Sequence, residues 1–194
     1  LHNENTFIEI FATEGMYSTN GGTGALEPSD IQLSISGGSA HTPVITSLKQ
    51  LNGTSDLVGG ESNIRVNFTT TGVADGGETI TVNFADGSSV FDVLGNAAAA
   101  SQSNNTRTLN DLVDPFITGV SLAADNSYID VTFNEAVYED NCGGGGLTPA
   151  DFDLKISGGT ATTPVISSVK QNDSPTEGSA SALTGGETTV RIFF

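Results

Sequence analysis

Tryptophan is absent from this 194-residue chain, cysteine and methionine occur once each, and histidine occurs twice. The lone Cys142 excludes an intrachain disulfide framework and a cysteine-based zinc site. His2 and His41 leave little for imidazole catalysis. Basic residues are scarce as well: 6 Lys and Arg stand against 23 Asp and Glu, for a formal net charge of −17. That balance repels nucleic acid, whose recognition needs a basic footprint, so no nucleic-acid partner is expected. No run of about 18 apolar residues is present, so a chain inserted in a membrane is not expected. Aromatics make up 7% and include no tryptophan, which argues against a sugar-stacking glycosidase cleft. G-x-S-x-G, H-E-x-x-H and P-loop patterns are missing too, and the chain is not expected to be an enzyme. No secretory leader precedes Leu1, as expected of a mature form or of a piece of something longer. An acidic chain of this kind suits an extracellular setting, where divalent cations or salt screen its self-repulsion.

What the chain does contain is itself, twice. "NTFIEIFATEGMYSTNGGTGALEPSDIQLSISGGSAHTPVITSLKQ", from Asn5, aligns without a gap on "NSYIDVTFNEAVYEDNCGGGGLTPADFDLKISGGTATTPVISSVKQ", from Asn126, at an offset of about 121 residues with about half the positions identical. Farther on, "GGESNIRVNF" (59–68) matches "GGETTVRIFF" (185–194) after an insertion, "NDSPTEGSASALT", in the second copy. The copies are incomplete in complementary ways. The second opens with "PFITGVSLAADN" (115–126), for which the first has only "LHNE". The first continues through residues 77–111, which the second does not reach. The expected domains are therefore 1–113, lacking a first strand, and 114–194, lacking the last two.

One whole repeat assembled from both copies holds about seven strand-like runs. They cover residues 116–123, 128–137, 152–157, 164–171 and 188–194 of the second copy, and 78–85 and roughly 97–109 of the first. "YIDVTF" sets Tyr128, Asp130 and Thr132 on one side and Ile129, Val131 and Phe133 on the other, the two-residue period of a half-buried strand. "FDLKIS" and "TITVNF" alternate likewise, and glycine, asparagine and serine clusters punctuate the runs as turns. No stretch keeps helical periodicity over three turns. The expected fold class is all-β: tandem immunoglobulin-like β-sandwich repeats, both terminal repeats incomplete.

"FNEAVY" (133–138), "LTPADFDLKISGG" (147–159), "GGETITV" (76–82) and "VFDVLGNAA" (90–98) resemble elements of the Ig-like repeats of giant bacterial cell-surface proteins, of the adhesin and surface-motility type. The Asp92–Asn96 turn and Glu135 at a strand end are the most specific marks of the resemblance, which spans the whole chain; the first copy departs from it with "FATEGMY". It implies a bacterial extracellular or cell-surface location and a tethering role, with neighbouring repeats of the same or identical chains as partners and a host, surface or glycan ligand beyond them. It names no ligand.

The stretch "LNDLVDPFITGV" (109–120) joins the copies. In an up-and-down reading of the sandwich, the loop after 128–137 lies at the linker's pole of the second repeat. The junction would then gather Asp111 and Asp114 from the linker, Glu135 from a strand end, and Glu139, Asp140 and Asp151 from the following loop. Asp75 or Glu78 would come from the far pole of the first repeat. Converging carboxylates repel unless a cation holds them, and calcium takes 6–8 oxygen ligands in flexible geometry. The layout is similar to the acidic, proline-terminated linkers of calcium-rigidified cadherin-type repeats. Two readings stand side by side: an interdomain calcium site, or a solvated acidic linker in which Pro115 keeps the chain extended. Asp92 and Asn96 read more readily as turn-formers, and Asp30 and Asp151 as turn caps.

The expected function is a structural extension or stalk segment of a large secreted or cell-surface protein, an adhesin or surface filament, stiffened by calcium. The alternatives are a ligand-binding Ig-like module for glycan or protein, and a subunit of a strand-complemented extracellular filament. Of the two explanations for the odd ends, a window cut from a longer array fits better than complementation, since both copies hold the same middle strands.

Overall fold

The computed structural model describes every residue from Leu1 to Phe194 except Thr163. The chain divides into two compact units, Leu1–Val113 and Asp114–Phe194. Both are all-β, with two single-turn 3₁₀ segments, Pro28–Asp30 and Pro149–Asp151. Three antiparallel sheets are present among the described residues. No helix among them is long and apolar enough to cross a membrane.

The first unit holds six strands: β1 (Phe7–Met16), β2 (Ile31–Ser36), β3 (His41–Gln50), β4 (Glu61–Thr71), β5 (Thr79–Phe84) and β6 (Thr106–Thr108). They form two sheets of order β1-β4-β3 and β2-β5-β6. Alternation explains why these segments are strands: Ile64, Val66 and Phe68 of β4 are buried at every second position, as are Ile80, Val82 and Phe84 of β5. Both sets enter one core with Ile8, Ile31, Leu48 and Leu109, so each sheet turns its apolar face to the other.

The second unit holds β7 (Ile117–Leu122), β8 (Tyr128–Val137), β9 (Ser168–Gln171) and β10 (Glu187–Phe193) in a single sheet of order β7-β8-β10-β9. Its core is smaller: Val131, Val137, Val169, Val190 and Ile192, with Phe133, Leu147 and Phe152 packed against it.

Aligned positions pair alike in the two units. Ile8 faces Val66 and Ile10 faces Ile64, as Ile129 faces Ile192 and Val131 faces Val190. The turn into β1 and the turn into β8 also match. His2 N–H donates to Phe7 O and Ala123 N–H to Tyr128 O, 2.9 and 3.0 Å, with Asn5 and Asn126 at φ 52° and 59°. Asparagine is among the few residues that accept this left-handed backbone.

Three expected strands are shorter than the pattern suggested. Residues 152–157 form no strand, the run 164–171 is a strand only over Ser168–Gln171, and the run 97–109 only over Thr106–Thr108. In the first unit β2 pairs solely with β5, Ile31 opposite Phe84 through Ser36 opposite Thr79. The second unit has no counterpart of β5, so 152–157 has no ladder to join.

Candidate functional site

The acidic residues are the chemistry this chain possesses, and many of them already accept backbone amides. Among the seven candidate ligands, Asp75 and Asp111 belong to the first unit. The hydroxyl of Ser39 donates to Asp75 Oδ2 at 2.7 Å and the Gly77 amide to Oδ1 at 3.0 Å. These two bonds, the hydroxyl's first, hold the Asp75 carboxyl below its ordinary pKa. Asp111 accepts the Val113 amide at 2.9 Å, while the Leu112 amide donates to Ala74 O at 2.8 Å, tying 111–113 to the loop before β5.

The other five lie in the second unit. Asp114 is exposed, and its carbonyl receives the Asn134 side-chain amide at 3.5 Å. The same amide donates to Glu135 Oε1 at 2.9 Å. Glu139 is exposed. Asp140 Oδ1 accepts the amides of Gly144 and Cys142, both at 2.8 Å, and closes the glycine-rich loop. Those amides hold its carboxyl below the usual range. Asp151 Oδ2 accepts the Thr148 amide at 2.7 Å and its hydroxyl at 2.9 Å, capping the 3₁₀ turn; Asp30 does the same for Glu27, at 2.8 Å. Glu135, Asp140 and Asp151 line one cleft of about 640 Å³ with Phe133, Tyr138 and Phe152. Among the described residues, no three His, Cys, Asp or Glu side chains form a group that could hold a metal ion. Asp92 accepts the amides of Leu94 and Asn96, each at 2.8 Å, and the Asn96 side chain at 2.7 Å, so it shapes its own turn.

Glu78, which the sequence offered only as an alternative to Asp75, proves the most committed carboxylate. It is fully buried. Its Oε1 accepts the amides of Ser39 and Ala40, each at 2.7 Å, and that of Asp75 at 3.2 Å, so it fastens the β2–β3 turn to the start of β5. Burial pushes its pKa up, but these amide bonds outweigh it and the net displacement is downward.

The tripeptide Gly-Gly-Glu recurs at 59–61, 76–78 and 185–187, and in each case the carboxylate takes the amide three residues earlier: Val58 at 2.7 Å, Asp75 at 3.2 Å, Thr184 at 2.8 Å. Gly59, Gly60, Gly185 and Gly186 all sit between φ 88° and 96°. A Cβ on Gly60 would come within 2.7 Å of Tyr17 Oη, and one on Gly186 within 3.1 Å of Tyr138 Oη. The triple recurrence is the sequence signal that could have marked Glu78.

A second device was illegible until strands were paired. Arg191 is 8% exposed along its side chain and forms a two-point fork on Asp130, with Nε–Oδ1 at 2.7 Å and Nη2–Oδ2 at 2.7 Å. Its guanidinium lies 3.8 Å above the Tyr128 ring. Arg65 repeats the arrangement with Glu9, at 2.9 Å, and Phe7, at 3.8 Å.

The edges form the remaining site. Beside β1 lies a groove of about 380 Å³ lined by Ile8–Ala12, residues 102–107, and Val82 and Phe84 of β5. In the second unit the aligned strand β8 carries β7 along this edge, and every residue of β7 is exposed.

No family model, curated protein or solved structure matches the chain.

Proposed function

We propose that this chain is a structural extension segment of a large secreted or bacterial cell-surface protein, built of tandem Ig-like β-sandwich repeats. One observation carries the reading. Charged side chains that could do chemistry brace the fold instead, and they do so at aligned positions in both units: Arg65 and Arg191 on their acidic and aromatic side-chain partners, Glu61 and Glu187 on the backbone of their glycine turns. A scaffold that repeats its own supports serves reach and mechanical continuity. Calcium at the acidic residues around Asp111 and Asp114 would stiffen such a chain, because a dication offsets carboxylate repulsion that the −17 net charge makes general.

The test is the melting temperature in excess EDTA and then across a calcium titration. A metal that binds only the folded state stabilises by about 2.7 kcal/mol at 100-fold saturation. A rise of several degrees, abolished by Asp114→Ala or Glu135→Ala, is the expected result. A flat response removes calcium and leaves an unstiffened tether.

A second reading, a subunit of a strand-complemented filament, draws support from the open edges. Phe116, Ile117, Val120 and Leu122 are 55–63% exposed in an otherwise acidic chain.

A further inference from the structure

We propose that the Asp114–Pro115 peptide bond is a self-cleavage site, at which the Asp114 carboxylate displaces the Pro115 nitrogen from its own carbonyl carbon while the Asn134 side-chain amide stabilises the carbonyl oxygen. The bond is the first within the second unit, so its scission parts Leu1–Val113 from the sheet of β7 to β10.

Two properties single out this aspartate. It is the only one followed by proline: the other prolines come after Glu27, Thr42, Thr148, Thr163 and Ser174. It is also the one aspartate whose side chain holds no hydrogen bond and no ion pair among the described residues. Every other aspartate is committed to an amide, a hydroxyl, a lysine or an arginine. Proline then narrows what the free carboxylate can do. An ordinary aspartate is attacked by the amide nitrogen of the next residue, closing a succinimide, but Pro115 has no N–H and cannot do this. The reaction left is attack of a carboxylate oxygen on the residue's own carbonyl carbon. It closes a five-membered ring whose reacting atoms belong to one residue, so no encounter has to be arranged.

The fold supplies the rest. Asn134 Nδ2 donates to Asp114 O at 3.5 Å and to Glu135 Oε1 at 2.9 Å, while Asn134 Oδ1 accepts the Phe116 amide at 2.6 Å. The Asn134 backbone N–H donates in turn to Phe116 O at 3.1 Å. One residue thus spans the bond, its acceptor fixing the chain beyond Pro115 and its donor set on the carbonyl to be attacked. Such a donor is worth most as the carbon becomes tetrahedral and the oxygen gathers charge, when a long contact shortens. Asp114, Pro115 and Asn134 are exposed, so water reaches the product. The step balances with water alone. A C–O bond forms as the C–N bond breaks, the Pro115 nitrogen takes a proton from water, and Asp114 is left as a cyclic anhydride. Hydroxide or a further water opens that ring, so one water is consumed overall and a second carboxyl remains on Asp114. Each chain reacts once, without turnover.

The test follows the intact mass of the full chain in excess EDTA, so that no cation holds the carboxylate, at about pH 5, where carboxylates are ionised. Expected are two fragments, 1–114 and 115–194, whose masses sum to the chain plus one water. The folded chain should cleave about tenfold faster than the same chain in urea or a synthetic peptide of residues 110–118. Asn134→Asp keeps an acceptor for the Phe116 amide and loses the donor, so it should fall to the peptide's rate with unchanged circular dichroism. Asp114→Ala should give no fragments. Aniline added to the reaction should be caught by the anhydride as an anilide on residue 114, a product that a contaminating protease does not form. Equal rates in the folded chain, the peptide and Asn134→Asp would overturn the proposal and leave only the ordinary lability of an aspartate–proline bond. A folded chain that stays intact while the peptide cleaves, or fragments without the anilide, would overturn it as well.

Discussion

"IQLSISGG" in the first unit and "FDLKISGG" in the second occupy aligned positions, alternate alike and follow the same capped 3₁₀ turn, yet only the first is a strand. The apolar side chains track the difference: Ile31 is 5% exposed and Ile35 partly buried, whereas Ile156 is 47% exposed. Nothing within the eight residues accounts for it. Residues 31–36 find β5, which lies after β4, and residues 152–157 have no such partner. Alternation states which face a strand would bury; a neighbouring ladder decides whether it is a strand.

The strongest way to break this comparison is to supply the missing partner. Phe194 aligns with Phe68, so appending residues 69–113 of the first unit after Phe194 restores the sequence that follows β4. Amides within 153–157 should then gain protection of about 100-fold or more in hydrogen exchange. Unchanged exchange would mean that local sequence forbids the strand after all.

Removing Glu78 attacks the other side. Glu78→Ala strips the buried carboxylate from three amides and should cost about 3 kcal/mol or more, read from denaturant unfolding of the whole chain. The aligned arginines come next. Arg191, forked on Asp130 and nearly buried, should cost about 3 kcal/mol on replacement by alanine, and Arg65, with one contact to Glu9, about 1–2 kcal/mol. Equal costs would show that the second unit gains nothing from its tighter pair. Gly60→Ala and Gly186→Ala, both at φ 88°, should each cost about 1–2 kcal/mol, the former more because its Cβ meets Tyr17 Oη more closely.

The smallest effect is on pH. Glu78 and Glu187 both have depressed folded-state pKa values, Glu187 because the Thr184 and Gly185 amides outweigh its burial. The stability they contribute is fully present above the unfolded glutamate pKa, near about 4.3, and is lost as pH falls through the lower folded values. Melting temperature should therefore drop below about pH 4, and Glu78→Gln should flatten part of that slope.

By itself the sequence determined the all-β character, the twofold self-similarity, the alternating faces of β4, β5 and β8, and the turns at Asp30, Asp92 and Asp151. The self-similarity is read by laying one copy on the other; the rest depend on residues a few positions apart, where periodicity and side-chain-to-backbone bonds act locally. Tertiary structure decided which alternating runs became strands, how Glu78 came to bridge Ser39 and Ala40, how Arg191 met Asp130, and which edges stayed open. Each of those requires a partner tens of residues away, Phe84 for Ile31 or Asp130 for Arg191, and a hydrogen-bonding group cannot declare in sequence which distant group will satisfy it.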